Sequence, residues 1–401
     1  MKKWSANQIN TVFAALSSWG LDAFDFFLLV FVIDDIATSF SVTKKSVSIA
    51  IFLTLALRPV GAFFIGRLAE QYGRKPVLMG NVALFSILSA LSAFAPNLII
   101  FLLIRCVYGV AMGGVWGVAS SLAFETIPKE SKGFISGLFQ AGYPLGYLTA
   151  SVVYALFFDS LGWRYLFIIG AFPILLVIFI HFFVQESAVW LAAKNQEKAK
   201  RTRILPIAMN NWQVCLFAII LMTCFNLFSH GTQDSYPLFL KEQHHFTSHI
   251  VGGIAIAYNI ASIMGGIFFG SLSQKIGRSK AIALAAGLSL FAIPLWAFSN
   301  DMILLGVGAF IMQFMVQGAW GVIPVYLNEL LPASTRTVLP GFFYQMGNLF
   351  ASANLIIQIY IAEYFNNNYG LSLAIVAGLA AICIMILMRY RMTHPQLVPH
   401  D

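Results

Sequence analysis

Twelve apolar stretches recur along the chain with only short breaks, each of roughly 20 residues and so able to cross about 30 Å of hydrocarbon. They lie near 12–33, 46–66, 77–96, 98–120, 134–157, 164–184, 212–236, 249–269, 279–298, 302–324, 339–361 and 369–389. Lipid offers a backbone no hydrogen-bonding partner, so such segments must close their bonds internally, as helices do. The expectation is an all-α polytopic membrane protein with twelve transmembrane helices. Composition agrees, since 59% of the 401 residues are hydrophobic and 10% are charged, with a mean hydropathy of +0.81. These values lie outside those of soluble globular domains. The first stretch is not a removable leader: it is long, it holds Asp22 and Asp25, and it lacks a small-residue cleavage pattern.

The placement of charge sets the orientation. Net charge is +8, which in a soluble chain would suggest nucleic acid, but here the positions account for it and no nucleic-acid partner is expected. With the N-terminus inside, 18 of the 24 Lys and Arg fall in the inner breaks and the two tails, among them Lys2, Lys3, Arg67, Arg74, Lys75, Lys275, Arg278 and Arg391. Only Lys44, Lys45, Arg164 and Lys241 fall outside, and Arg58 and Arg105 lie within spans. By the positive-inside rule both termini are cytoplasmic, in a multi-pass protein of the inner or plasma membrane. Cys106, Cys215, Cys224 and Cys383 all lie in spans, without metal-site or redox spacing, and are read as packing residues; no cofactor or metal is expected.

The longest polar stretch, 185–211, is the natural linker between two halves, 1–184 and 212–401. Its basic cluster, Lys194, Lys198, Lys200, Arg201 and Arg203, is read as facing lipid headgroups. An internal repeat supports the boundary. Gly270 minus Gly66 is 204, and the same 204 relates Gly277 to Gly73, Arg278 to Arg74, Trp320 to Trp116, Gly321 to Gly117, Glu329 to Glu125 and Pro332 to Pro128. Two pseudo-symmetric six-helix bundles follow, and the offset also pairs Asn226 with Asp22.

Ionisable groups inside a span are expensive and mark cavities or ion paths. In the seventh span Asn226, Ser229, His230, Gln233 and Asp234 fall within roughly 140° at about 100° per residue, a polar stripe some 12 Å long. The alternative for such a stripe is a polar seam joining helices. Asp22 and Asp25 suit a proton or cation relay or a structural ion pair. Arg58, ahead of Pro59 and Gly61, suits a carboxylate substrate, unless it only pairs with Asp22 or Asp25. Gln140, Tyr143 and Gln345 are further candidates for orienting a substrate. Glu125 and Glu329, ahead of Pro128 and Pro332, are assigned to gating.

The seventh-span motif resembles the signature of the lactate permease (sialate:proton symporter) family of the major facilitator superfamily, Asn-x-x-Ser/Thr-His-x-Ser/Thr-Gln-Asp-x-x-x-Thr. Asn226, Ser229, His230, Thr232, Gln233 and Asp234 match it, and Leu238 replaces the last threonine. GRLAEQYGRKP, Gly66 to Pro76, resembles the superfamily's loop after the second helix, with Glu70 in place of aspartate. The resemblance implies a gating role for Gly66, Glu70, Gly73 and Arg74, and for Gly270, Gly277 and Arg278 of the second half. Arg105 with Gly109 resembles the fourth-helix arginine motif tied to proton coupling. Val115 departs from the glutamate common in related permeases, so a proton step on that carboxylate is absent or moved.

The resemblance implies the major facilitator fold and a proton-coupled symporter, not an enzyme, that imports a short monocarboxylate such as lactate or pyruvate. Its partners are that acid, protons and the bilayer, and the functional state is a monomer. Arg58, Asn226, Gln233, Gln140, Tyr143 and Gln345 would bind substrate, while His230, Asp234, Asp22, Asp25 and Arg105 would couple protons. Sialic acid or another carboxylate is the alternative substrate. A drug:proton antiporter is an alternative of another class, prompted by the glycine and proline pattern of GLFQAGYPLGYL in the fifth span.

Overall fold

A computed structural model of the chain describes residues 4–195, 206, 209–331 and 335–393. Lys2, Lys3, Pro332 and, in the linker, Lys198, Lys200, Arg201 and Arg203 lie outside the described residues. The first half forms α1 (Ala6–Phe31), α2 (Ile33–Ser39), α3 (Lys44–Tyr72), α4 (Arg74–Ala93), α5 (Leu98–Thr126), α6 (Lys132–Gln140), α7 (Gly142–Ile169), α8 (Ile174–Phe183) and α9 (Ala188–Asn195). The second forms α10 (Trp212–Gln233), α11 (Tyr236–Glu242), α12 (Ser248–Ile276), α13 (Arg278–Ala297), α14 (Met302–Leu330), α15 (Leu339–Ala351), α16 (Asn354–Tyr364) and α17 (Tyr369–Thr393). No strand occurs among the described residues.

Helix starts follow capping chemistry. Ser5 and Gln8 form a reciprocal capping box at α1, and the side chains of Thr43 and Asn97 accept from backbone amides in the first turns of α3 and α5. Among the described residues, ten helical runs are long and apolar enough to cross a membrane. One of them, Lys129–Phe183, is 55 residues long and turns at Gly162, whose φ of 73° suits glycine, so the expected fifth and sixth spans both fall within it. The expected eleventh span is two shorter helices, α15 and α16. Several helices outrun their apolar stretch; α3 continues to Tyr72 and α5 to Thr126. Hydropathy marks only the lipid-thick part, whereas helical bonding continues until a residue such as Gly73 stops it.

The repeat is visible in the backbone. Both ends of α3, α4 and α5 shift by 204 onto those of α12, α13 and α14. Gly73 and Gly277, at φ 111° and 91°, make the same left-handed break before Arg74 and Arg278. Gly61 packs so closely that a Cβ would strike the Val110 carbonyl, and Gly265 stands in the same relation to Phe314, again 204 further on.

The chain forms two compact units, which leave the chain halves in two places. One comprises Met1–Pro128, Gly142–Ile207 and Leu331–Gln345, the other Lys129–Ala141, Ala208–Leu330 and Met346–Asp401. In the second unit α6 lies on α12 because Gly133 and Gly137 meet the backbone at Gly270 and Gly266. In the first unit the start of α15 lies on α3 and α5, with Val338 against Gly66 and Gly341 against Gly117.

Candidate functional site

The interior of the first unit holds four charged side chains, Asp22, Asp25, Arg58 and Arg105, each at most 2% exposed. They are not equivalent. Asp25 accepts from Arg105 at 3.1 Å and from the Ser89 hydroxyl, and the Arg105 guanidinium lies over the rings of Phe167, Tyr108 and Phe101 at 4.5, 4.7 and 5.5 Å. That pair is bonded, although the Nε and Nη2 of Arg105 are buried without a hydrogen-bond partner. Both carboxylate oxygens of Asp22 and the Nε of Arg58 are buried without a hydrogen-bond partner, although each residue lies in the other's electrostatic field. Arg58 and Asp22 thus face each other without a direct hydrogen bond. Its guanidinium lies 5.2 Å over Phe26 and touches the Met112 sulfur.

The surroundings of Arg58 are fixed by close packing. A Cβ on Gly113 would collide with the Arg58 carbonyl, so α5 holds that turn of α3 in place. Along α15 the pairing runs from Val338 beside Gly66 to Gly341 beside Ala62. One further turn brings Tyr344 and Gln345 opposite Arg58. Tyr344 interacts electrostatically with both Arg58 and Asp22, stacks on Trp116 at 5.1 Å and meets the edge of Trp19 at 6.0 Å. Trp19 also stacks on Tyr143 at 5.5 Å. The Nε1 of Trp19 and both amide atoms of Gln345 are buried without a partner. Left so, each such atom costs about 1–3 kcal/mol. Six such atoms, on Trp19, Asp22, Arg58 and Gln345, make this cluster the candidate site of the first unit.

In the second unit the stripe of α10 divides. Gln233 donates to Gln313 at 2.9 Å, Gln313 donates to Thr232 at 3.0 Å, and Gln317 donates to Ser229 at 3.1 Å, so these residues form a seam to α14. Asn226 donates to the Met222 carbonyl of its own helix at 2.8 Å. His230 differs: Nδ1 lies 3.1 Å from Asp234, Nε2 lies 3.2 Å from Asn348 Oδ1, and the His230 and Asp234 side chains are 30% and 34% exposed. α10 ends at Gln233 with Asp234 as its cap residue, and Tyr236 and Pro237 start α11. Gln140, at the end of α6, belongs to the second unit, whereas Tyr143 and Gln345 belong to the first.

The residues assigned to gating cluster at helix ends. Arg74 pairs with Glu125 at 3.1 Å, and its counterpart Arg278 pairs with Glu329 through two bonds of 3.0 and 3.1 Å. Glu70 pairs with Arg67 at 3.2 Å. The sequence reading missed Glu186, Ser187 and Trp190, all within the stretch expected to be linker. Glu186 accepts from the backbone amides of Arg74 and Lys75 at the start of α4, Ser187 bonds Glu125, and Trp190 donates to the Glu70 carbonyl at 2.8 Å. A carboxylate at a helix N-terminus is favourable, but no local motif announces that Glu186 folds back over that distance in sequence. Trp19 was likewise missed, because an aromatic in an apolar span carries no signal of its own.

Known proteins share this architecture. The chain is 27% identical to the sialic acid transporter NanX of Escherichia coli over 96% of this chain and 95% of that protein. It is 28% identical to a carboxylic acid transporter protein homolog of Saccharomyces cerevisiae over 91% of its own length, and spans 63% of the yeast protein. The solved proton:xylose symporter XylE superimposes with a TM-score of 0.76 at 15% identity, covering 96% of this chain and 95% of that one. The model of the Major Facilitator Superfamily matches residues 15–233 and 232–400. Duplicated helices, paired Gly-Arg turns and near-complete matching lead to one conclusion: the chain is a multi-pass membrane transporter belonging to the Major Facilitator Superfamily.

Proposed function

We propose that the protein is a proton-coupled symporter that imports a carboxylate, with short monocarboxylates such as lactate and pyruvate the first to test. The observation that carries the reading is Arg58: a fully buried guanidinium with a free Nε, no carboxylate bonded to it, and aromatic walls. A buried cation is retained where something pairs with it, and a planar fork suits a carboxylate. The names of the E. coli and yeast relatives support an acid substrate.

Coupling follows from charge balance. Arg58 and Arg105 offset Asp22 and Asp25, so an incoming anion adds one uncompensated negative charge in a low-dielectric setting. Carrying a proton with each anion, with His230 and Asp234 the proposed carriers, keeps the transported charge neutral. Proton and anion then favour each other's binding, and by reciprocity each raises the other's affinity. Sialic acid is the second reading, favoured by the near full-length match to the E. coli protein. Both termini are cytoplasmic, by the distribution of Lys and Arg.

The test is counterflow in proteoliposomes against a panel of carboxylates, with wild-type protein and Arg58→Lys. The expectation is that Arg58→Lys loses most transport although it keeps the charge, because the fork is lost. Unchanged transport at normal expression moves substrate binding away from Arg58.

A further inference from the structure

We infer that Cys224 and Cys383 form a modification site: together they give two hydrogen atoms to lipid peroxyl radicals and end as a disulfide that staples α10 to α17. In sequence the two cysteines stand 159 positions apart and show no redox spacing. Packing brings them together. A Cβ on Gly231 of α10 would lie 2.8 Å from the Val376 side chain of α17, so the two helices touch there. Two turns back along α10 from Gly231 is Cys224, and two turns on along α17 from Val376 is Cys383, and seven residues return to the same face of a helix. The two thiols meet across that seam, in hydrogen-bond contact with each other. Both belong to the second unit.

The surroundings select the oxidant. Cys224 and Cys383 lie near the middle of α10 and α17, which are both apolar spans. Cys383 is exposed there, on a face of α17 shared with the exposed Leu379, Ile382 and Ile386, so it meets hydrocarbon, and Cys224 is half-buried beside it. Oxidants that react by nucleophilic attack need a thiolate, and an anion at that depth is costly. Hydrogen-atom transfer needs no charge, and the peroxyl radicals of unsaturated acyl chains form in the hydrocarbon itself. One peroxyl radical takes the hydrogen of the Cys383 S–H bond and becomes a hydroperoxide, and a second takes that of Cys224. The two thiyl radicals then couple into one S–S bond. Two thiols and two peroxyl radicals thus yield one disulfide and two hydroperoxides, each sulfur being oxidised by one electron. A single lipid-facing thiol cannot end this way, because its thiyl radical has no partner in reach and abstracts hydrogen from lipid instead.

The experiment reconstitutes the reduced wild-type protein in vesicles of polyunsaturated phosphatidylcholine, starts peroxidation with a lipid-soluble azo initiator, caps free thiols and reads the peptides by non-reducing mass spectrometry. The expected result is a peptide linking Cys224 to Cys383 that accumulates as the lipid is peroxidised, is suppressed by α-tocopherol, which removes the same radicals, and is lost on treatment with dithiothreitol. Because the bond closes a long loop, the oxidised protein should melt about 4–16 °C above the same sample after reduction, and this difference should be absent from Cys224→Ser and Cys383→Ser. Absence of the linked peptide once the lipid is peroxidised overturns the inference. So do links that engage Cys106 or Cys215 as readily as the pair, and so does equal linking by hydrogen peroxide in the presence of α-tocopherol.

Discussion

The Arg105–Asp25 pair gives the sharpest test of how the first unit is held together. Both side chains are fully buried and 3.1 Å apart. Removing one partner of such a pair leaves an uncompensated buried charge and costs about 3–5 kcal/mol. Asp25→Asn should fall in that range. Arg105→Met should cost more, because it leaves the Asp25 charge with only the neutral Ser89 and Tyr108 hydroxyls and also removes the guanidinium from three aromatic faces, worth about 0.5–2 kcal/mol each. At about 2–4 °C per kcal/mol for a cooperative unit of roughly 200 residues, Asp25→Asn should lower Tm by about 6–20 °C. The double variant leaves no unpaired charge, so it should recover much of the Asp25→Asn loss while staying below wild type by the lost ring contacts. The assay is thermal unfolding of purified protein in detergent, followed through intrinsic tryptophan fluorescence. A Tm for Asp25→Asn within about 2 °C of wild type, or a double variant whose loss equals the sum of the singles, refutes the pairing argument.

Three further outcomes are expected. Gly113→Ala places a methyl against the Arg58 carbonyl, so it should destabilise by about 1–3 kcal/mol and depress uptake more than expression, as checked by uptake per folded protein. Glu186→Gln removes the charge that accepts from two amides at the start of α4, which should cost about 0.5–2 kcal/mol and speed proteolysis near residue 186; an unchanged cleavage rate counts against the latch. His230→Ala and Asp234→Asn should abolish acid-stimulated accumulation while sparing exchange, which needs no net proton movement; if both variants still concentrate substrate under an inward proton gradient, the proton travels elsewhere.

Much of the fold was legible because its signals are long or duplicated. Hydropathy located the spans, since lipid tolerates little else, and the offset of 204 anticipated the equivalence of α3 to α5 with α12 to α14. The sequence did not reveal that Lys129–Ala141 and Leu331–Gln345 leave their own halves, because that depends on glycines meeting across distant helices, such as Gly137 with Gly266. At the candidate site the charged residue types were visible, but their pairing was not. A sequence shows Asp22 and Asp25 as similar neighbours, and only packing separates the one bonded to Arg105 from the one without a bond. The stripe of α10 was read as one unit, whereas rotation about the helix gives Ser229, Thr232 and Gln233 to α14 and leaves His230 with Asp234 and Asn348.

The repeat also separates what the scaffold needs from what transport needs. Shifted by 204, Asp22 becomes Asn226, Asp25 becomes Ser229, Arg58 becomes Ser262 and Arg105 becomes Ala309. The second unit therefore builds the counterparts of α3 to α5 with the same lengths, the same left-handed glycine and the same Arg-Glu pair, yet with none of the four buried charges. Where the first unit bonds Asp25 to Arg105, the second bonds Ser229 to Gln317, a neutral contact that closes the interior at less desolvation cost. The duplicated helices can thus be built without these charges, even though, once buried as a pair, Asp25 and Arg105 depend on each other. Arg58 is the clearest case. Its counterpart Ser262 simply bonds back to the Tyr258 carbonyl of its own helix, whereas Arg58 keeps a buried guanidinium with an unpartnered Nε. That unpartnered donor on a planar fork is the physical ground on which the proposed function places the substrate's carboxylate at Arg58.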